Sequence, residues 1–131
     1  MASEKNKILV VEDDDDMRNI LVDRLKTLAR YEILQAADGQ QAVDIAIEQK
    51  PNLILLDLLL PKMDGFGVLE KVRHSTDADV AQAKVIVLSN LWSNKDILRA
   101  QDLKIEEYYV KANTNLEDVL TKVSQIMAGN N

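Results

Sequence analysis

A chain of 131 residues, 47 % apolar and 29 % charged, is long enough for one domain with its own core and falls in the ordinary globular range. It has no cysteine, which excludes disulfides and thiolate metal centres, and no apolar run approaches the roughly 18 residues of a membrane span. The net charge of −6, with no basic cluster to offset it, argues against direct nucleic-acid binding and hints at a carboxylate-rich site that needs a cation. The segment Met1–Lys5 has no apolar h-region of a secretory signal, so a cytoplasmic location away from membranes is expected.

In chain order, the first element is the uninterrupted apolar run Ile8-Leu9-Val10-Val11, a strand covered on both faces. Met17, Ile20, Leu21, Leu25 and Leu28 follow at helical spacing and mark the core face of a first helix. A weaker strand, about Tyr31 to Ala36, leads to a helix near Gly39 to Gln49 that stops before Pro51. The second apolar run, Leu53-Ile54-Leu55-Leu56, is followed by Phe66, Leu69 and Val72. The third, Val85-Ile86-Val87-Leu88, extends to Ser89 and is followed by Ile97, Leu98 and Leu103. Tyr108-Tyr109-Val110 is a last, weaker strand, and Leu116, Val119, Leu120, Val123 and Ile126 form the fifth helical face. Asp38, Ser93 and Asn115 are suited to N-caps. The chain is expected to fray after about Met127.

A strand and a helix thus alternate five times, which predicts an α/β fold: a doubly wound (βα)5 parallel sheet with helices on both faces. The three apolar runs belong at the centre and the two weaker strands at the edges. This predicts strand order 2-1-3-4-5, the flavodoxin-like arrangement, in one domain spanning 1–131 with a core of about 6–128 and no effector domain.

In such a sheet ligands bind beyond the carboxyl ends of the strands, where the strand order switches. Strand 1 runs into Glu12-Asp13 and strand 3 into Asp57, so three carboxylates converge there. Each pair at about 4 Å costs roughly 4 kcal/mol at an effective dielectric near 20, so raised pKa values or a hard cation must offset the repulsion. Mg²⁺ suits a site of few carboxylates, waters and a phosphate oxygen. Asp14, Asp15 and Asp16 fit a plainer role as the acidic first turn of the first helix. Asp57, set between four apolar residues and three leucines, is too costly to bury idle. Ser89 and Lys111, at the ends of strands 4 and 5, add a hydroxyl and an ammonium at the same end of the sheet.

Ile8-Leu-Val-Val-Glu-Asp-Asp14, Ala37-Asp38-Gly39, Leu53-Ile-Leu-Leu-Asp-Leu-Leu-Leu-Pro-Lys-Met-Asp-Gly65 and Ser89 resemble the receiver domain of two-component response regulators over nearly the whole chain. The resemblance implies that Asp57 is the phosphoacceptor. Glu12, Asp13, Asp57 and the backbone carbonyl of Leu59 would hold Mg²⁺. Ser89 and Lys111 would engage the phosphoryl group, and Ser89 and Tyr108 would form the switch. Leu59 and Leu91 take the positions that tune phosphoryl lifetime, and two leucines there would obstruct the attacking water. A histidine kinase or phosphotransfer protein would be the donor. An output protein, or a second copy in a homodimer, would read the surface of helix 4, strand 5 and helix 5. The reaction on Asp57 is self-modification, not turnover of an external substrate.

Two positions depart from the family pattern. Asn90 stands where a smaller residue is usual, and Ala112 where a proline in a cis bond is usual; a non-proline cis bond costs about 2.5–4 kcal/mol, so a trans peptide is expected at Ala112. These departures keep a phosphorylation-independent interaction module in view as the alternative. A dehalogenase-type phosphatase would need a second acid at position 59, which is leucine. A flavin phosphate would be repelled by the acidic loop Glu12-Asp13-Asp14-Asp15. Gly65-Phe66-Gly67 lacks the spacing of a phosphate cradle. His74 has the marks of a surface residue, and Trp92 is expected to pack at the start of helix 4 or, if exposed, to belong to an output surface.

Overall fold

A computed structural model describes residues 6–28 and 30–129. Five parallel strands, β1 (Asn6–Val11), β2 (Tyr31–Ala36), β3 (Leu53–Leu56), β4 (Lys84–Ser89) and β5 (Glu107–Val110), form one sheet in the order β2-β1-β3-β4-β5, as the apolar ranking predicts. The helices are α1 (Asp15–Lys26), α2 (Gly39–Gln49), α3 (Gly65–Arg73), a single turn α4 (Ala78–Ala81), α5 (Asn94–Asp102) and α6 (Leu116–Ala128). The turn α4 is absent from the sequence reading, so the helices predicted as fourth and fifth are α5 and α6.

Successive side chains on a strand point to opposite faces, and that alternation divides the core in two. Ile8, Val10, Leu53, Leu55, Ile86 and Leu88 face α1 and α6, where they meet Leu21, Leu25, Val119 and Val123. Leu9, Val11, Ile54, Leu56, Val85 and Val87 face α2, α3 and α5, where they meet Ala42, Phe66, Leu69 and Ala100. Because the three central strands are covered on both sides, their apolar runs are continuous.

Local chemistry sets the helix ends. The predicted caps Asp38, Ser93 and Asn115 each accept a backbone N–H of the first turn, and Asp14, Asp64 and Asp77 do the same for α1, α3 and α4. Helix α2 closes on Lys50, in the left-handed region at φ 51°, before Pro51. Helix α6 runs through Ala128 to Gly129; the last two residues of the expected frayed end lie outside the described residues. His74 is the exposed C-cap of α3. Trp92 does not pack at the start of α5: the residue is 74 % exposed, because it precedes the Ser93 cap and lies outside the buried stripe of α5.

At the amino end of β4 and β5, Arg73 ties three segments together. Its guanidinium donates to the carbonyls of Leu103 (2.8 Å), Ala81 (2.9 Å), Ala83 (2.7 Å) and Lys104 (2.8 Å). Burial pushes its pKa down, and the charge of Glu106 offsets only part of this. Higher on the same face, the Arg99 guanidinium sits 4.1 Å from the centre of the Phe66 ring and holds α5 to α3.

Candidate functional site

The sheet register assembles the site. Val11 pairs with Leu56, and the ladder continues one step as the Asp57 N–H donates to the Val11 carbonyl at 3.1 Å. Glu12 and Asp57 therefore leave adjacent strands side by side, at the strand-order switch between β1 and β3. Carboxylate oxygens of Glu12, Asp13 and Asp57 can lie within 4.8 Å of one another; Glu12 and Asp57 are buried and Asp13 is exposed. Arg18 props the loop beneath them, donating to the Glu12 carbonyl at 2.9 Å while its other nitrogen pairs with Asp15 at 2.6 Å. The plainer role expected for Asp14–Asp16 is the one they take: Asp14 caps α1, and Asp15 and Asp16 occupy its first turn.

Lys111 reaches this cluster from β5. Its Nζ lies 2.6 Å from Glu12 Oε1 and 2.7 Å from Asp57 Oδ2. The other Asp57 oxygen, Oδ1, accepts the backbone N–H of Leu59 at 3.0 Å. Burial pushes the Glu12 carboxyl up, partly opposed by hydrogen bonds from Lys111 and the Asp14 N–H. Burial also works against the Lys111 ammonium, but its hydrogen bonds to Asp57 and Glu12 outweigh this and its pKa is raised. Three carboxylates against one ammonium leave two negative charges uncompensated, all on oxygen ligands. That donor set fits a divalent hard cation.

Close packing fixes the loop after β3. The Gly65 N–H donates to the Leu58 carbonyl at 2.9 Å, and a Cβ on Gly65 would lie 2.5 Å from the Asp57 carbonyl oxygen. Glycine is required there by close approach, which accounts for the Asp-Gly pair at 64–65.

The remaining predicted residues surround the site without all touching it. Ser89 is fully buried, and its Oγ accepts the Leu91 N–H at a long 3.4 Å. No described hydrogen bond joins it to Asp57. Leu59 is half exposed above the acids, whereas Leu91 packs partly buried against the core. Tyr108 is half-buried and its hydroxyl donates to the Leu91 carbonyl at 2.7 Å. Burial pushes the Tyr108 phenol pKa up, with the charges of Asp96 and Asp57 adding to it. The two departures meet: Asn90 Oδ1 accepts the Ala112 N–H at 3.1 Å, and no peptide among the described residues is cis. Each residue is visible in the sequence, but their contact depends on how β4 and β5 end.

Comparison with known proteins places this geometry. The family model described as response regulator receiver domain matches residues 8–124. A probable transcriptional regulator of Porphyridium aerugineum, ycf27, is 34 % identical over 98 % of this chain and 53 % of its own length. The DNA-binding dual master transcriptional regulator RpaA of Synechocystis is 31 % identical over 92 % of this chain and 48 % of its own. The chain thus spans about half the length of the curated relatives it matches. A two-component response regulator from Clostridium difficile superposes with a TM-score of 0.85 at 25 % identity, covering 97 % of this chain and 99 % of that one. The signal receiver domain of a DNA-binding response regulator from Colwellia psychrerythraea superposes at 0.84, with 24 % identity and coverage of 94 % and 98 %.

Proposed function

This chain belongs to the response-regulator receiver family, and from that premise we propose that it accepts a phosphoryl group on Asp57 and passes the event on as a change of surface. The observation that carries this reading is the meeting of Asp57, Glu12 and Lys111 at one end of the sheet, within 2.7 Å of a shared ammonium.

The donor is a phosphohistidine of a histidine kinase or phosphotransfer protein. An Asp57 carboxylate oxygen attacks phosphorus, an O–P bond forms, the N–P bond breaks and imidazole leaves. Catalysis here is positioning and charge neutralisation. Glu12, Asp13, Asp57 and the Leu59 carbonyl would hold Mg²⁺, which would supply charge neutralisation for the incoming phosphoryl group. Lys111 trades part of its contact with Asp57 for a phosphoryl oxygen, and the Ser89 hydroxyl turns to donate to another. Water later cleaves the acyl phosphate, and the leucines at 59 and 91 slow its approach. The chain modifies itself and turns over no external substrate.

The surface that responds is α5, β5 and α6. A cavity of about 200 Å³ between α5 and β5 is lined by Ile97, Ile105, Tyr108 and Val110 together with Gln101 and the acids Glu106 and Glu107, and Tyr108 links it to the loop after Ser89. Two states of this loop and surface, biased by the phosphoryl group, would be read by an output protein or a second copy. The acidity of the chain disfavours direct nucleic-acid contact by this part. No helix of the described residues is long and apolar enough to cross a membrane; a cytoplasmic site of action fits the kinase partnership.

Intact mass after incubation with acetyl phosphate tests the reading. One phosphoryl group should be gained only with Mg²⁺, and Asp57→Ala should gain none. Uptake by Asp57→Ala, or no uptake by the unaltered chain, would contradict it.

A further inference from the structure

The β4–β5 ladder ends at the pair Ser89 and Val110. Beyond it the segment that follows the Ser89 hydroxyl and the turn that carries the Lys111 ammonium part. Lys111–Asn113 forms a single 3₁₀ turn, whose leading N–H groups have no acceptor inside the turn. The Ala112 N–H finds one across the gap, Asn90 Oδ1 at 3.1 Å. At the far end, Thr114 Oγ1 donates to the Val110 carbonyl at 2.6 Å and the Thr114 N–H reaches the Lys111 carbonyl at 3.3 Å. Between these two clamps Lys111 sends its ammonium 2.7 Å from Asp57. Asn90 directly follows the fully buried Ser89. One carboxamide therefore ties the neighbour of the hydroxyl to the neighbour of the ammonium. A proline at 112 would have no N–H to offer it.

The geometry points to Asn90 as a positioning residue: through the Ala112 N–H its side chain fixes the separation of the segment after Ser89 from the turn that bears Lys111, so that the Ser89 hydroxyl and the Lys111 ammonium address a phosphoryl group on Asp57 together. This rests on the phosphoacceptor reading above and names the bond that sets the spacing. It also differs from a simple steric role, in which the larger side chain at 90 obstructs the phosphodonor and its removal speeds uptake.

The test uses the full chain, with Asn90→Ala and Asn90→Asp, and reads two quantities. Amide hydrogen exchange at Ala112 should rise about two- to tenfold in Asn90→Ala, the scale of one lost neutral hydrogen bond, and return to the unaltered rate in Asn90→Asp, whose carboxylate accepts the same N–H. Uptake of phosphoryl from acetyl phosphate should slow in Asn90→Ala by a similar factor, in the maximal rate and not in the half-saturating concentration of acetyl phosphate. Unchanged exchange at Ala112, or uptake equal to or faster than that of the unaltered chain, would overturn the assignment. An unaltered chain that takes up no phosphoryl group fails the phosphoacceptor reading and this inference with it. Normal uptake by both the unaltered chain and Asn90→Ala fails this inference alone.

Discussion

Two cations sit largely out of water at opposite ends of the same sheet, and their partners differ in kind. Arg73 is surrounded by four main-chain carbonyls from the segments around α4, β4 and the end of α5. Those acceptors are covalently part of the scaffold, carry no formal charge and cannot leave. Lys111 is held by two side-chain carboxylates, Glu12 and Asp57, which carry charge and can change ligands. Burial lowers the pKa of the first, and paired charge raises that of the second. A cation fixed by carbonyls is suited to holding a fold. A cation shared between acids is suited to being displaced, and a phosphoryl group or a divalent ion would supply the means.

The largest effect should come from breaking the fixed end. Arg73→Ala orphans carbonyls of three segments and should cost about 3 kcal/mol in denaturant unfolding, with no recovery on adding Mg²⁺. Lys111→Met should act on chemistry first, slowing phosphoryl uptake about a hundredfold, the scale of one lost charge-stabilising donor. It also leaves Glu12 and Asp57 unopposed, so its loss of stability should be reversed by Mg²⁺. If added Mg²⁺ rescued Arg73→Ala as well as Lys111→Met, the contrast between the two cations would fail.

A smaller effect sharpens the picture of the exchangeable end. Polar replacements, Leu59→Asn with Leu91→Glu, should speed loss of the phosphoryl group roughly tenfold, equivalent to about 1.4 kcal/mol off the barrier. Hydrolysis at the original rate would show that these leucines do not screen the acyl phosphate. The mildest effect is on pH dependence. The folded pKa of Lys111 lies above its ordinary value of 10.5, so its contribution to stability is whole below pH 10.5 and is lost as pH climbs through the folded value. Unfolding midpoints measured across that range should fall more steeply for the unaltered chain than for Lys111→Met.

Much of this was legible in residue patterns, and the exceptions share a cause. Continuous apolar runs marked β1, β3 and β4, because strands covered on both faces need apolar side chains at every position. The caps Asp38, Ser93 and Asn115 stand at the helix starts they serve, and the acids Glu12, Asp13 and Asp57 stand at the strand ends that the sheet brings together. The turn α4 was not visible, since one helical turn has no periodicity to read. Arg73 was not visible either, because its partners are carbonyls, which every residue carries. Asn90 and Ala112 each stand out in the sequence as unusual, but their bond follows from where β4 and β5 stop. The apolar character of Trp92 leaves packing and an exposed role both open, and the position of the α5 cap decides for exposure.

On the proposed function the phosphoryl group resides on the carboxylate held by Lys111 and the Leu59 N–H. Borohydride reduction of the phosphorylated chain followed by peptide mapping tests it most directly, because reduction converts an acyl phosphate to a primary alcohol at the modified residue. That conversion is expected at Asp57, dependent on Mg²⁺ and on prior phosphorylation. Conversion at Asp13 or another carboxylate, with Asp57 intact, would contradict it.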